Sequence, residues 1–218
     1  MTDFNAARAT MVDSQLRTNK VTDLKVIESF ETIPREVFLP ETLRGIAYVD
    51  EDLAIGDGRY VMEPMVLARL IQAAAPTSED IVLEVGAARG YGTAILAQIA
   101  ATVVGLDSDE ALVETANETL NDMGIDNAVV VTGAMTAGYA KQAPYDVILF
   151  SGAVTAVPAS VIEQLAEGGR LAAVIQDEGG VGRATLMQRV GANVSARPLF
   201  DASTPILSGF ERKDEFVF

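Results

Sequence analysis

Between Phe4 and Arg17 the apolar residues Phe4, Ala7, Met11, Val12 and Leu16 return at helical spacing, which predicts an amphipathic helix that Thr2 or Asp3 can cap. A second short helix is predicted from Asp23 to about Glu31. Pro34 and Pro40 then bracket Val37, Phe38 and Leu39 as a buried extended stretch. Tyr48 to Arg59 reads as a loop with turn chemistry at Gly56-Asp57-Gly58, and Pro64 opens a helix through about Ala75.

After Pro76 the rhythm changes to short β-rich runs alternating with helical segments, the signature of a parallel sheet covered by helices. Strands are predicted at Ile81-Val85, Thr102-Leu106, Ala128-Val131, Val147-Phe150 and Leu171-Ile175, with helices at Tyr91-Ile99, Asp109-Met123 and Pro158-Ala166. Leu165 to Leu171 is expected to end that last helix through the Gly168-Gly169 turn. Val190 to Leu199 and Glu215-Phe218 read as antiparallel additions, and Gly179-Gly180-Val181-Gly182 as a β-turn, since it lacks the Lys and Ser/Thr of a phosphate loop. The expected architecture is a single α/β domain over residues 1–218, with a mostly parallel central sheet, helices on both faces and antiparallel C-terminal strands. Residues 1–75 are expected to form a helical and loop extension that covers the site of an α/β core spanning 76–218.

Composition narrows the chemistry. With 218 residues and 49% hydrophobic content the chain can bury a substantial core. Sixteen Lys+Arg against 31 Asp+Glu leave a net charge of −15, and no basic run is dense enough to track phosphates, which disfavours nucleic acid and anionic membranes as partners. No segment is apolar for long enough to span a bilayer, and the first residues lack signal-peptide character, so the expected location is cytoplasmic. Cys 0 and His 0 exclude disulfides, Cys/His zinc sites, thiolate nucleophiles and imidazole bases. No metal site is expected. What remains is chemistry performed by binding, orientation and carboxylate or hydroxyl contacts.

The run Ile81-Val82-Leu83-Glu84-Val85-Gly86-Ala87-Ala88-Arg89-Gly90-Tyr91 is a buried strand feeding a glycine turn and then a helix. Ligands of open α/β sheets bind at such carboxyl ends, and Gly86 and Gly90 let backbone approach a ligand closely. The spacing is not G-x-G-x-x-G, which argues against a dinucleotide whose pyrophosphate needs helix N–H groups. Glu84 supplies a negative charge that suits the sulfonium and ammonium of S-adenosylmethionine instead. The second strand ends in Asp107, about one βαβ step on, where an acid can accept both ribose hydroxyls. The competing structural reading is that Glu84 only caps the turn and Asp107 only caps the helix near Asp109. The order of strand, glycine loop, acid-ended strand, Tyr145-Asp146 strand and Gly168-Gly169-Arg170 strand is that of class I methyltransferases.

Across nearly the whole chain the sequence resembles the protein-L-isoaspartate O-methyltransferase family. The resemblance rests on Met11-Val12 with Gln15-Leu16, Ile33-Pro34-Arg35-Glu36-Val37-Phe38-Leu39-Pro40, Ala47-Tyr48, Leu53-Ala54-Ile55-Gly56, Leu83-Glu84-Val85-Gly86, Gly90-Tyr91, Ala143-Pro144-Tyr145-Asp146 and Gly168-Gly169-Arg170-Leu171. The Pro-Arg-Glu-x-Phe-x-Pro segment is the most distinctive of these. The resemblance implies methyl transfer from S-adenosylmethionine to the abnormal β-linked aspartyl carboxylate of a damaged protein or peptide. It implies cofactor contacts from Glu84, Gly86, Ala88, Gly90, Tyr91, Asp107, Ser108, Gly133 and Ala134, and an acceptor face at Arg59, Tyr60 and Met62.

Three positions depart from the family pattern. Its Gly-Gln-Thr-Ile-Ser-Gln-Pro segment, whose hydroxyls hold the substrate, corresponds to Gly58-Arg59-Tyr60-Val61-Met62-Glu63-Pro64, so both Thr and Ser are lost. Its Gly-x-Gly-Ser-Gly loop reads Gly86-Ala87-Ala88-Arg89-Gly90, in which Ala88 and Arg89 narrow the turn and add charge. Thr132-Gly133-Ala134 stands where an Asp-Gly contacts the adenine region. Arg59 can bind a substrate carboxylate or pair with one of the chain's many acids. Beside the enzyme, the alternative is a divergent member that keeps the cofactor fold and acts on another acceptor or as a non-catalytic binding module.

Overall fold

The computed structural model describes residues 3–176 and 181–212. Helix α1 (Phe4–Met11) starts where the Asp3 carboxylate accepts the Ala6 N–H at 3.0 Å. Helical backbone continues through one π turn (Val12–Leu16) and one 3-10 turn (Arg17–Asn19), then stops at left-handed Lys20. Asp23 caps α2 (Leu24–Thr32), accepting the N–H groups of Lys25 and Val26 at 2.9 and 3.2 Å. The two helices bury Met11, Val12, Leu16, Val26, Ile27 and Phe30.

Two expectations for the following segment are corrected. Residues Arg35–Phe38 form a 3-10 turn rather than an extended stretch, although Phe38 and Leu39 are buried as anticipated. The curl turns Arg35 inward, where its guanidinium satisfies backbone carbonyls. The stretch expected as a loop contains an antiparallel hairpin, β1 (Leu53–Gly56) and β2 (Arg59–Val61). Asp57 and Gly58 carry it around with φ of 50° and 71°, the paired positive values of a type I′ turn. Pro64 then opens α3 (Pro64–Ala74), which ends at left-handed Ala75.

Strands β3 (Ile81–Val85), β4 (Thr102–Asp107), β5 (Ala128–Thr132), β6 (Tyr145–Val154) and β7 (Leu165–Ile175) run parallel, and β8 (Arg183–Val190) and β9 (Asn193–Asp201) are antiparallel additions. The sheet order is β5-β4-β3-β6-β7-β8-β9. Helices α4 (Tyr91–Ala97), α5 (Glu110–Asp122) and α6 (Ala159–Ile162) make the crossovers. Alternation along β3 serves both faces: Val82 joins the core beneath α1 to α5, whereas Leu83 and Val85 join a second core with Met135, Val161 and Phe210. The predicted last helix is shorter than expected, because the chain re-enters the sheet at Leu165 and accommodates Gly168-Gly169 as a register irregularity against β6. Strand β8 was not anticipated, and the expected strand at Val190-Leu199 is β9. The turn at Gly179-Gly180-Val181-Gly182 falls partly, and the strand Glu215-Phe218 wholly, outside the described residues.

Beyond β9 the chain returns to the sheet. The Ala153 N–H donates to the Pro205 carbonyl at 2.9 Å and the Leu207 N–H to the Ala153 carbonyl at 2.8 Å, so residues 204–207 dock along the end of β6.

Candidate cofactor and acceptor site

Strand β3 lies between β4 and β6, so the connections leave it in opposite directions and open a crevice at the carboxyl ends of the strands. Glu84 stands near the end of β3, 1% exposed. The Ser151 hydroxyl, from β6, donates to its carboxylate at 2.5 Å, and the Thr93 hydroxyl, from α4, donates to the other oxygen. Burial raises the Glu84 pKa, the two hydroxyls oppose that rise, and the nearby Asp107 charge adds to it. Its hydrogen-bond partners among the described residues are these two neutral hydroxyls, so a cationic ligand would relieve the cost of keeping this carboxylate ionised.

Asp107, fully buried at the end of β4, is occupied differently. Its Oδ2 accepts the Ala88 N–H at 2.7 Å and its Oδ1 the Asp109 N–H at 3.1 Å. The Arg59 guanidinium from β2 completes a buried ion pair with Oδ2. Ala88 adopts φ of 49° to aim its N–H at this carboxylate, a left-handed conformation that is costly for any residue with a Cβ. Asp107 is therefore more than the helix cap of the structural reading, since Asp109 caps α5 itself.

The acceptor segment is anchored from beneath by Arg35. Its guanidinium, fully buried, donates to the carbonyls of Ala47 at 2.8 Å, Val61 at 3.3 Å and Met62 at 2.9 Å, and lies 4.8 Å from the Tyr91 ring centroid. Phe38 and Phe30 pack against the same ring at 5.7 and 6.0 Å. The neighbouring Glu36 accepts the Tyr48 hydroxyl, which in turn accepts the Arg35 N–H at 3.2 Å. Burial and the Glu36 charge push the Tyr48 pKa upward. The Pro-Arg-Glu-x-Phe-x-Pro segment thus holds residues 61–62 against the glycine loop. On the far side Asp52 Oδ1 accepts both the Glu63 N–H and the Thr204 hydroxyl at 3.0 Å, tying the segment to the C-terminal strap.

Two small cavities meet at Tyr60, Met62 and Ser151. One, about 240 Å³, is lined by Glu84, Gly86, Ala88, Tyr91 and Gly92; the other, about 250 Å³, by Arg59, Gly152 and residues 204–207. Both figures include space open to solvent; the enclosed room is about 10 Å³ in each, about enough for one water and far below the roughly 300–1,000 Å³ usual for small-molecule sites. Leu207 is one reason: a Cβ on Gly86 would come within 2.7 Å of its side chain and one on Gly152 within 2.6 Å, so the leucine lies on bare backbone. Arg59 is the other. The donor set, two buried acids on adjacent strand ends around a glycine loop, fits the cations and hydroxyls of S-adenosylmethionine chemically, with Arg59 paired to the second acid and Leu207 laid over Gly86 and Gly152.

Most of the expected residues converge here. Arg59, Tyr60, Met62, Glu84, Gly86, Ala88 and Tyr91 line the cavities, with Asp107 directly behind Arg59. Gly90, at φ of 89°, is the N-cap of α4. Ser108 and Ala134 are exposed at the crevice rim. The Gly133 N–H, considered as an adenine contact, donates to the Asp107 carbonyl at 2.8 Å and is already used. Arg89 lines neither cavity; it turns toward Phe38, whose carbonyl accepts its Nε–H at 2.9 Å. Thr93, Ser151, Arg35 and Leu207 were not assigned roles beforehand. Ser151, just beyond the apolar run of β6, carried a positional signal; Leu207 carried none.

An open α/β sheet with an acid, a glycine loop and a second acid on adjacent strand ends defines a class I methyltransferase fold. Residues 7–199 match the model of the protein-L-isoaspartate(D-aspartate) O-methyltransferase family. The chain is 40% identical over 171 residues to the protein-L-isoaspartate O-methyltransferase of Koribacter versatilis, covering 78% of this chain and 77% of that one. It is 37% identical over 168 residues to the enzyme of that name from Methanoculleus marisnigri, covering 77% and 76%. A solved protein-L-isoaspartate O-methyltransferase superposes with a TM-score of 0.82 at 24% identity, over 93% of this chain and 66% of that one. A putative enzyme of the same name from Plasmodium falciparum, in complex with S-adenosyl-L-homocysteine, superposes with a TM-score of 0.75 at 18% identity, over 95% and 99%. The chain belongs to the protein-L-isoaspartate(D-aspartate) O-methyltransferase family.

Proposed function

We propose that the protein is an S-adenosylmethionine-dependent methyltransferase that esterifies a free carboxylate of a damaged protein or peptide. The observation that carries this reading is the pair of buried carboxylates, Glu84 and Asp107, on adjacent strand ends around a glycine loop, the first of them hydrogen-bonded by two neutral hydroxyls. Family membership supports it, and the names of the matched relatives leave the non-catalytic alternative without favour. S-adenosylmethionine supplies an electrophilic methyl group when bound. Glu84 would face its cationic end, Asp107 its ribose, Gly86, Ala88, Gly90 and Tyr91 its flanks, and Ser108 and Ala134 the rim.

The chain needs no general base for this reaction. A substrate carboxylate of ordinary pKa, about 4, is already ionised at neutral pH and attacks with its own electron pair. The task left to the protein is alignment in a dry site, a contribution of roughly 7–11 kcal/mol for well-oriented groups. Tyr60 and Met62, held through Arg35, would form the wall against which the acceptor lies, and the Tyr60 hydroxyl offers a donor where the family has shorter ones. Residues 1–75 act in this reading as the cover over the cavity, and a cytoplasmic location goes with it.

Transfer of radiolabelled methyl from S-adenosylmethionine to an isoaspartyl peptide tests the proposal. Base-labile label on the isoaspartyl peptide, and none on its aspartyl counterpart, is the expected result. Saturating cofactor with no label on any carboxylate peptide would remove the catalytic reading.

A further inference from the structure

We propose that Arg59 is a specificity-determining residue that exchanges partners: it holds Asp107 while the cofactor site is empty, leaves when adenosine ribose takes that carboxylate, and then pairs with the carboxylate of the acceptor. The inference rests on the methyltransferase reading above. Arg59 and the Ala88 N–H share Oδ2 and the Asp109 N–H takes Oδ1, so about one of the four acceptor sites of the Asp107 carboxylate is left where two ribose hydroxyls need two. Arg59 reaches Asp107 from the segment proposed to face the acceptor.

Four features of the fold make exchange feasible. Asp107 keeps the Ala88 and Asp109 N–H groups after Arg59 departs, so it is not left without donors. Arg59 is itself poorly satisfied where it lies: its Nε, though buried, has no hydrogen-bond partner, and its other contact is the Met135 sulfur at 3.6 Å. It sits one residue after the Asp57-Gly58 turn of a two-stranded hairpin, and no atom lies within 4 Å of a Cβ built at Gly56 or Gly58. Finally, among the described residues Arg59 is the only cationic side chain that lines the two cavities; Arg35 lies beneath them and Arg89 turns to the Phe38 carbonyl. In a chain of net charge −15, an anionic acceptor needs that cation, and the planar guanidinium suits a carboxylate bidentately.

The exchange predicts coupling between the two ligands. On the wild type, an isoaspartyl peptide should bind at least about tenfold more tightly in the presence of saturating S-adenosylhomocysteine than without it, because the product releases Arg59. Calorimetry with Arg59→Ala and Arg59→Gln should show S-adenosylhomocysteine binding at least about tenfold more tightly than to the wild type, with the peptide coupling abolished. Arg59→Lys, which keeps the charge, should stay within about threefold of the wild-type affinity for the product. Equal product affinity in wild type and neutral variants, or peptide affinity indifferent to the product, would overturn the exchange and leave the cofactor reading standing. Absence of product binding in all four proteins would overturn both.

Discussion

Glu63 has the clearest titration signature in the acceptor segment. Burial and the charges of Asp52 and Asp50 push its pKa from 4.5 to about 7, so the folded state holds a proton that the unfolded chain releases. Its contribution to stability is complete below about pH 4.5 and is lost as pH rises through about 7. Glu63→Gln should therefore raise the unfolding temperature at pH 8 and leave it unchanged near pH 4. The side chain is only partly buried, and solvent screens the effect to about 1 kcal/mol, or about 2–4 °C. A thermal melt series at the two pH values checks it. At this scale the sequence is legible where a residue's place belongs to its own strand end: Glu84, Gly86 and Asp107 stand at the ends of β3 and β4 as the pattern predicts. It was not legible for Arg59, for which substrate pairing and internal pairing stood as equal readings. Which of the chain's acids it meets depends on how β2 folds over β4, a contact between residues 48 positions apart.

At the scale of elements, the hairpin β1–β2 and the 3-10 turn at Arg35–Phe38 behave as one device. Arg35→Met should leave the Ala47, Val61 and Met62 carbonyls without their buried donor. A loss of at least about 3 kcal/mol is expected, or roughly 6–12 °C in unfolding temperature. Hydrogen exchange of residues 53–62 should accelerate more than that of β3 to β7; a uniform change across the sheet would deny the anchoring role. The parallel core was readable because its strands are continuous apolar runs bounded by turn residues. The hairpin was not, although Asp57-Gly58 between Leu53 and Val61 is a strong hairpin signal, because β2 has only three residues and its alternation is too short to register as a strand. The early stop of α6 had a similar origin: Leu165 and Ala166 fit a helix locally, and their pairing with β6 decides otherwise.

For the molecule as a whole, the described C-terminal strap and the N-terminal hairpin close on the crevice from opposite ends of the chain. Asp52 bonds Thr204, and Leu207 covers Gly86 and Gly152. Leu207→Ala should lower stability by about 2–3 kcal/mol through the buried methyl groups removed, and at the same time tighten S-adenosylhomocysteine binding by enlarging the cavity. A loss of both stability and affinity would mean that the leucine supports the site rather than filling it. This arrangement was outside the reach of sequence patterning, since residues 204–207 carry no motif and reach the site only through the docking of β8 and β9.

In the proposed function, the crevice between Glu84 and Asp107 holds the cofactor, and the chain's own Arg59 and Leu207 lie there in its absence. A crystal structure determined with saturating S-adenosylhomocysteine tests it most directly. The expected result is ligand between the two carboxylates, with Asp107 released from Arg59 and Leu207 withdrawn from Gly86. Density showing the Arg59–Asp107 pair intact and the crevice without ligand at saturating concentration would contradict it.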